Sequence, residues 1–193
     1  GRSEDWLAKF RRRHVGIVFQ FFNLLDDVTA LDNVALAGVV GGQKRKAALS
    51  RAADLVDLLG IGDKAGQAPA MLSGGQRQRL AIARALINDP TVLLAEEPTG
   101  ALDSAGGQEV LELFRRLHSD GQTIVMVTHD PVAASYADRI APVPAWTRSS
   151  TMISAPISAI RRVTVGPARY WVKSSTRMPS SIIMACCSVG SPA

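Results

Sequence analysis

The chain has 193 residues, enough for one domain with its own core and too few for two large ones. Apolar residues make up 47% and charged residues 20%, with a mean hydropathy of +0.10, which excludes a disordered chain. The formal net charge of +5 suggests an anionic partner, but all 17 acidic residues and 15 of the 22 basic ones lie at or before Asp138, so the basicity belongs to the C-terminal part and no nucleic acid is expected.

The two cysteines, Cys186 and Cys187, are adjacent and can build neither a disulfide framework nor a zinc site. No apolar run approaches the roughly 20 residues needed to cross a bilayer. The start, Gly1-Arg2-Ser3-Glu4-Asp5, is acidic where a secretory leader is basic, and it opens on Gly, which suggests that the beginning of the protein is missing.

In chain order, residues 15–19 read as a short buried strand with Gln20 at its C-terminal end. Residues 32–40 and 44–59 read as helices, the second with Ala48, Ala52, Leu55, Val56 and Leu59 on one face and Gly60 placed to end it. Residues 74–88 form another, closed by Asp89-Pro90, because proline cannot continue the ladder. Residues 91–95 are a strand, 108–118 an amphipathic helix and 123–127 a strand, after which Asp130-Pro131 caps a short helix through Ala137. Strands alternating with helices, the strands uniformly apolar, predict an α/β fold with a parallel sheet covered on both faces. In such sheets ligands bind beyond the carboxyl ends of the strands, where Gln20, Glu96-Glu97 and Thr128-His129-Asp130 stand here.

Three stretches carry chemistry. Ser73-Gly74-Gly75-Gln76 opens a helix with free backbone N–H groups, the positive end of its dipole and no bulky side chains, which suits a phosphate and serves equally as an ordinary N-cap. Glu96 and Glu97 close a buried strand, where two carboxylates repel unless they engage a cation or polarise water, the alternative being an acidic turn facing solvent. Asp103 is placed to cap the next helix. His129 follows a strand at the same sheet edge; alone it would read as structural, and its neighbourhood with the glutamates favours function.

Taken in order and spacing, these stretches resemble the nucleotide-binding domain of ABC transporters over about residues 5–140. Val18-Phe19-Gln20 resembles the Q-loop, Leu72-Ser73-Gly74-Gly75-Gln76 the signature motif, residues 93–97 the Walker B strand, Ala101-Leu102-Asp103 the D-loop and Thr128-His129-Asp130 the H-loop. Phe19-Gln20-Phe21-Phe22-Asn23-Leu24-Leu25 and Glu97-Pro98-Thr99-Gly100-Ala101-Leu102-Asp103 resemble the macrolide-export and lipoprotein-release subfamily. The resemblance implies a P-loop NTPase-type sheet with a helical subdomain at about 21–88, and two such domains closing head to tail around two ATP molecules. It implies that Ser73, Gly74, Gly75 and Gln76 contact ATP in trans, and that Glu97 is the general base. His129 would contact the γ-phosphate, Asp103 would act across the dimer, Gln20 and Glu96 would hold Mg²⁺, and Gln20 would also serve catalysis by sensing the water and coupling to the membrane subunit. Partners would be transmembrane permease subunits and a second nucleotide-binding domain, on the cytoplasmic inner face of the cell membrane.

Three departures limit this. No Gly-x-x-x-x-Gly-Lys-Ser/Thr occurs, so the Walker A cradle for the phosphates is absent and the chain by itself should scarcely bind ATP. In the family the strand before that loop lies inside the sheet, so exposed apolar edges and aggregation are expected. Glu96 stands where the pattern has Asp, and the extra methylene disturbs a Mg²⁺ site that tolerates little, so hydrolysis should be poor even with the loop restored. From Ala141 the family pattern is lost: the prolines of Ala141-Pro142-Val143-Pro144 should break a strand, and residues 141–193 read as a basic Ser/Arg-rich tail outside a domain of 1–140. A shifted reading frame would account for that tail, since back-translating 145–153 one frame over permits an acidic, family-like run. The competing readings are a non-catalytic remnant or partner-binding fragment, and an ABC-type ATPase of DNA repair or translation. The 53 positions from Gln20 to Ser73 leave no room for the long coiled coils of the repair type.

Overall fold

The computed structural model describes residues 3–143 and 182–187. It begins with α1 (Glu4–His14), which the strand-and-helix reading above lacks. The Ser3 side chain caps it by accepting from Trp6 N, acids occupy its first turn and bases its last, and Trp6, Phe10 and His14 stack at a spacing of four. Then come β1 (Val15–Val18), α2 (Ala30–Val40), α3 (Arg45–Leu58), two 3₁₀ turns (Gly62–Lys64 and Pro69–Met71) and α4 (Gly74–Leu86). The rest is β2 (Val92–Glu96), α5 (Ser104–Ser119), β3 (Thr123–Val127), α6 (Pro131–Ala134), β4 (Arg139–Val143) and β5 (Ile182–Cys187). The helix opened by Asp130 is one turn, shorter than expected, although the Asp130 cap itself is present, accepting from Val132 N.

All strand pairs are parallel and the order is β1-β2-β3-β5-β4. Register partners share a face, so Val18, Leu93, Ala95, Ile124 and Met126 form one buried layer. Leu80 and Ile82 of α4 and Val110, Leu111 and Phe114 of α5 belong to the same core. Each such side chain, fully buried, contributes about 1.5–3 kcal/mol. α2 and α3 pack together with α4 through Ala30, Val34, Ala48, Ala52, Leu55 and Val56. Buried Asn33 ties the chain segment before α2 to this helical layer, accepting from Leu25 N at 2.8 Å and donating to Leu25 O and Thr29 O at 3.0 Å each.

Two expectations change. The sheet is not covered on both faces among the described residues: Ile17 and Leu94, register partners, are 40% and 37% exposed, and Glu96 continues that open side. The prolines after Ile140 also do not break the strand. β4 runs through Pro142 to Val143, as an edge strand can, because one of its sides needs no ladder partner. β5, from the part expected to lie outside the domain, sits between β3 and β4 and is the strand to which β4 pairs. The expectations for 144–181 and 188–193 lie outside the described residues.

Candidate active site at the carboxyl ends of the strands

β1, β2 and β3 end side by side and deliver Gln20, Glu97 and His129 to one edge. The turn after β2 shapes the centre of that edge. Glu97 has φ +42, a left-handed conformation that a side-chain-bearing residue holds only when its surroundings impose it. Its N–H donates to Val127 O at 2.8 Å and its carbonyl accepts from Gly100 N at 3.0 Å, closing a turn over Pro98 and Thr99.

The Glu97 carboxylate is held by three donors. Its Oε1 accepts from His129 N at 3.0 Å and lies 2.7 Å from His129 Nδ1, and its Oε2 accepts from Thr128 Oγ1 at 2.9 Å. An imidazole facing a carboxylate through Nδ1 carries its proton there, which leaves Nε2 turned away from Glu97. Glu97 is mostly withdrawn, at 19% exposed, whereas His129 is 69% exposed. The pair therefore presents a carboxylate held behind an accessible ring. Thr128 was only a neighbour in the sequence reading. Its buried hydroxyl also accepts from Asp130 N at 3.0 Å, joining the Glu97 carboxylate to the start of α6.

Gln20 lies against the same turn: a Cβ added at Gly100 would fall 2.7 Å from Gln20 Nε2, so only glycine leaves that amide its place. Glu96 goes the other way. It is exposed on the open face of β2, and its carboxylate makes no hydrogen bond or ion pair with the described residues.

Ser73 caps α4 in a reciprocal box, its Oγ accepting from Gln76 N at 3.3 Å and its N–H donating to Gln76 Oε1 at 2.9 Å. The box uses Ser73 and Gln76 themselves, leaving the Gly74 and Gly75 N–H groups as the donors of the first turn. No hydrogen bond joins this helix start to Glu97 or His129, so the chain carries two separate surfaces. Asp103 acts as the N-cap of α5, its Oδ1 accepting from Gly106 N at 2.7 Å.

The residues fit part of a nucleotide site. Mg²⁺ is held by one or two protein oxygens when phosphates and waters supply the rest, which Gln20 and Glu96 can match in kind. No group of three or more metal-ligating side chains occurs among the described residues. Two cavities, of about 350 and 420 Å³, lie elsewhere, one beside β1 against Arg12, Asn23 and Asn88, the other between α4 and α5 against Arg79, Glu109 and Arg116.

Residues 2–100 match the family model described as ABC transporter. The chain belongs to the ABC transporter family. It is 52% identical over 136 residues to the macrolide export ATP-binding/permease protein MacB of Shewanella sp. (strain W3-18-1), covering 70% of this chain and 21% of that protein. With MacB 1/2 of Paracoccus denitrificans the identity is 51% over 134 residues, covering 69% and 20%. Among solved structures, the ATP-binding cassette MJ0796 in a dimeric post-hydrolysis state bound to ADP and Pi matches with a TM-score of 0.61 at 41% identity, over 70% of this chain and 60% of that one. The chain spans about a fifth of the length of the curated relatives it matches. The ABC transporter fold is therefore the frame in which Gln20, Glu97 and His129 stand, and no described helix is long and apolar enough to cross a membrane.

Proposed function

We propose that the chain is part of the ATP-binding subunit of an ABC exporter of macrolide-export type, and that it acts by completing an ATP site with a second nucleotide-binding domain. The observation that carries this is the division of labour within one chain: a Glu97–His129 pair at the sheet edge, and a glycine-led α4 whose first-turn N–H groups are left free by the capping box. In a closed pair, Gly74 and Gly75 would donate to phosphate oxygens of ATP held by the partner, with Ser73 and Gln76 keeping the helix start rigid. Glu97 would orient a water and accept its proton, while His129, held through Nδ1, would turn Nε2 toward the phosphate. Mg²⁺, where Gln20 and Glu96 met it together with phosphate and water, would offset the charge of the phosphates. Asp103 would meet the partner near the same interface.

On this reading the protein lies peripherally on the cytoplasmic face of the membrane, beside permease subunits, with Phe21, 73% exposed, and Leu25 in the segment that would meet them. The chain alone is expected not to hydrolyse ATP. The test is complementation. A cassette that keeps its own phosphate loop but whose signature serine and glycines have been replaced is mixed with this chain, and ATP hydrolysis is measured. Recovery above the sum of the separate rates is expected; absence of recovery together with absence of a complex in sedimentation would overturn the reading.

A further inference from the structure

The side chain of Gln78 is fully buried in α4, and one of its two polar atoms has no partner. Its Nε2 donates to the carbonyl of Pro98 at 2.8 Å, while its Oε1 is buried and unbonded. Pro98 offers only an oxygen in that direction, so the amide must face it nitrogen first and the orphaned oxygen follows from that choice. An apolar residue at 78 would avoid the orphan but leave the Pro98 carbonyl unbonded inside the protein, which is costly for the same reason.

The position of that carbonyl is what matters. Pro98 follows Glu97, whose left-handed φ of +42 sets the direction of its carboxylate. Gly74 and Gln78 are four residues apart and so share one face of α4. That face meets the turn and the segment after it twice, since a Cβ at Gly74 would stand 3.2 Å from Leu102 Cδ2. The Gln78 bond is the polar one of the two contacts and the one that reaches the residue next to Glu97.

We propose that Gln78 is a positioning residue that clamps the Pro98 carbonyl, holds the Glu97 turn left-handed, and makes the glycine-led start of α4 and the Glu97 carboxylate of one chain move as a single body. Under the function proposed above, on which this consequence rests, those two features serve different ATP molecules. The clamp then passes a displacement at one site to the other through a single side chain.

The test needs neither ATP nor a second chain, so its failure and that of the proposed function are separate. Hydrogen exchange is followed by NMR in the full chain and in Q78M, which keeps the volume and loses the donor, with Q78L as a second variant. The informative amides are Gly100, bonded to Glu97 O, and Leu102, bonded to Thr99 O. Both are expected to exchange at least about tenfold faster in Q78M, beyond the smaller, uniform change in the β2–β3 ladder that the fall in melting temperature brings. S73A, which loosens the capping box, is expected to speed Gly100 exchange in the parent and not in Q78M. Unchanged Gly100 exchange, a uniform rise across the chain with a lower melting temperature, or an equal response to S73A in both backgrounds would each overturn the proposal.

Discussion

A methyl group added at Gly75 would meet nothing nearer than Gly106 Cα, at 4.0 Å, so the chain's own packing does not demand glycine there. Alanine is the better helix former by about 1 kcal/mol, so G75A should leave stability unchanged or raise it by up to that amount in urea denaturation. Under the proposed function the same variant should fail to rescue the signature-deficient cassette, because the space is needed by a phosphate from outside. Rescue at the parent level by a normally folded G75A would remove Gly75 from the contact. At this scale the meeting of Glu97 and His129 at one sheet edge was legible in the sequence, since both stand directly after buried strands. Thr128 and Gln78 were not, because what distinguishes them is a bond to Glu97 from 31 positions away and to Pro98 from 20. No local pattern encodes such partners.

Among the elements, α4 holds the loop after Gln20 as well as the Glu97 turn. Phe22 and Asn23 both have positive φ, +60 and +49, and the Arg84 guanidinium donates to both of their carbonyls. Burial lowers the Arg84 pKa from its ordinary value. The Arg77 guanidinium carbon lies 5.3 Å above the Phe22 ring. Left-handed residues cost about 1 kcal/mol or more each, so the arginine is what keeps this loop in shape. R84M should therefore speed chymotryptic cleavage at Phe21 and Phe22, and N23G, which accepts positive φ freely, should partly restore resistance in the double variant. Equal cleavage of R84M and R84M/N23G would show that Arg84 does not act through this backbone. The helices with strong periodicity were read from sequence to within a few residues. α1 is marked by Ser3, an acidic first turn and a basic last turn, but it buries no residue and so lacks the apolar face by which the other helices are legible.

For the molecule as a whole, the parallel α/β arrangement was legible from the alternation of apolar strands with helices, but full coverage of the sheet was not. Which helix covers which face depends on tertiary packing. The open pair Ile17 and Leu94 forms an apolar patch on a flat surface. I17T/L94T should raise several-fold the concentration at which light scattering detects self-association, at a cost under about 1 kcal/mol because neither side chain is buried. No change in that threshold would mean that association, if it occurs, uses another surface.

The position of β5 governs the order in which this protein can be made. β1, β2 and β3 can pair as soon as Val127 has been synthesised, but β4 joins the sheet through β5, the last of the described strands. About 60 residues separate the two events, which at ordinary rates of translation is roughly 3–12 s. Throughout that interval the edge of β3 is open and β4 has no described strand to pair with, so the nascent chain must wait on β5. Contacts of such long sequence separation also form slowly once both strands are available.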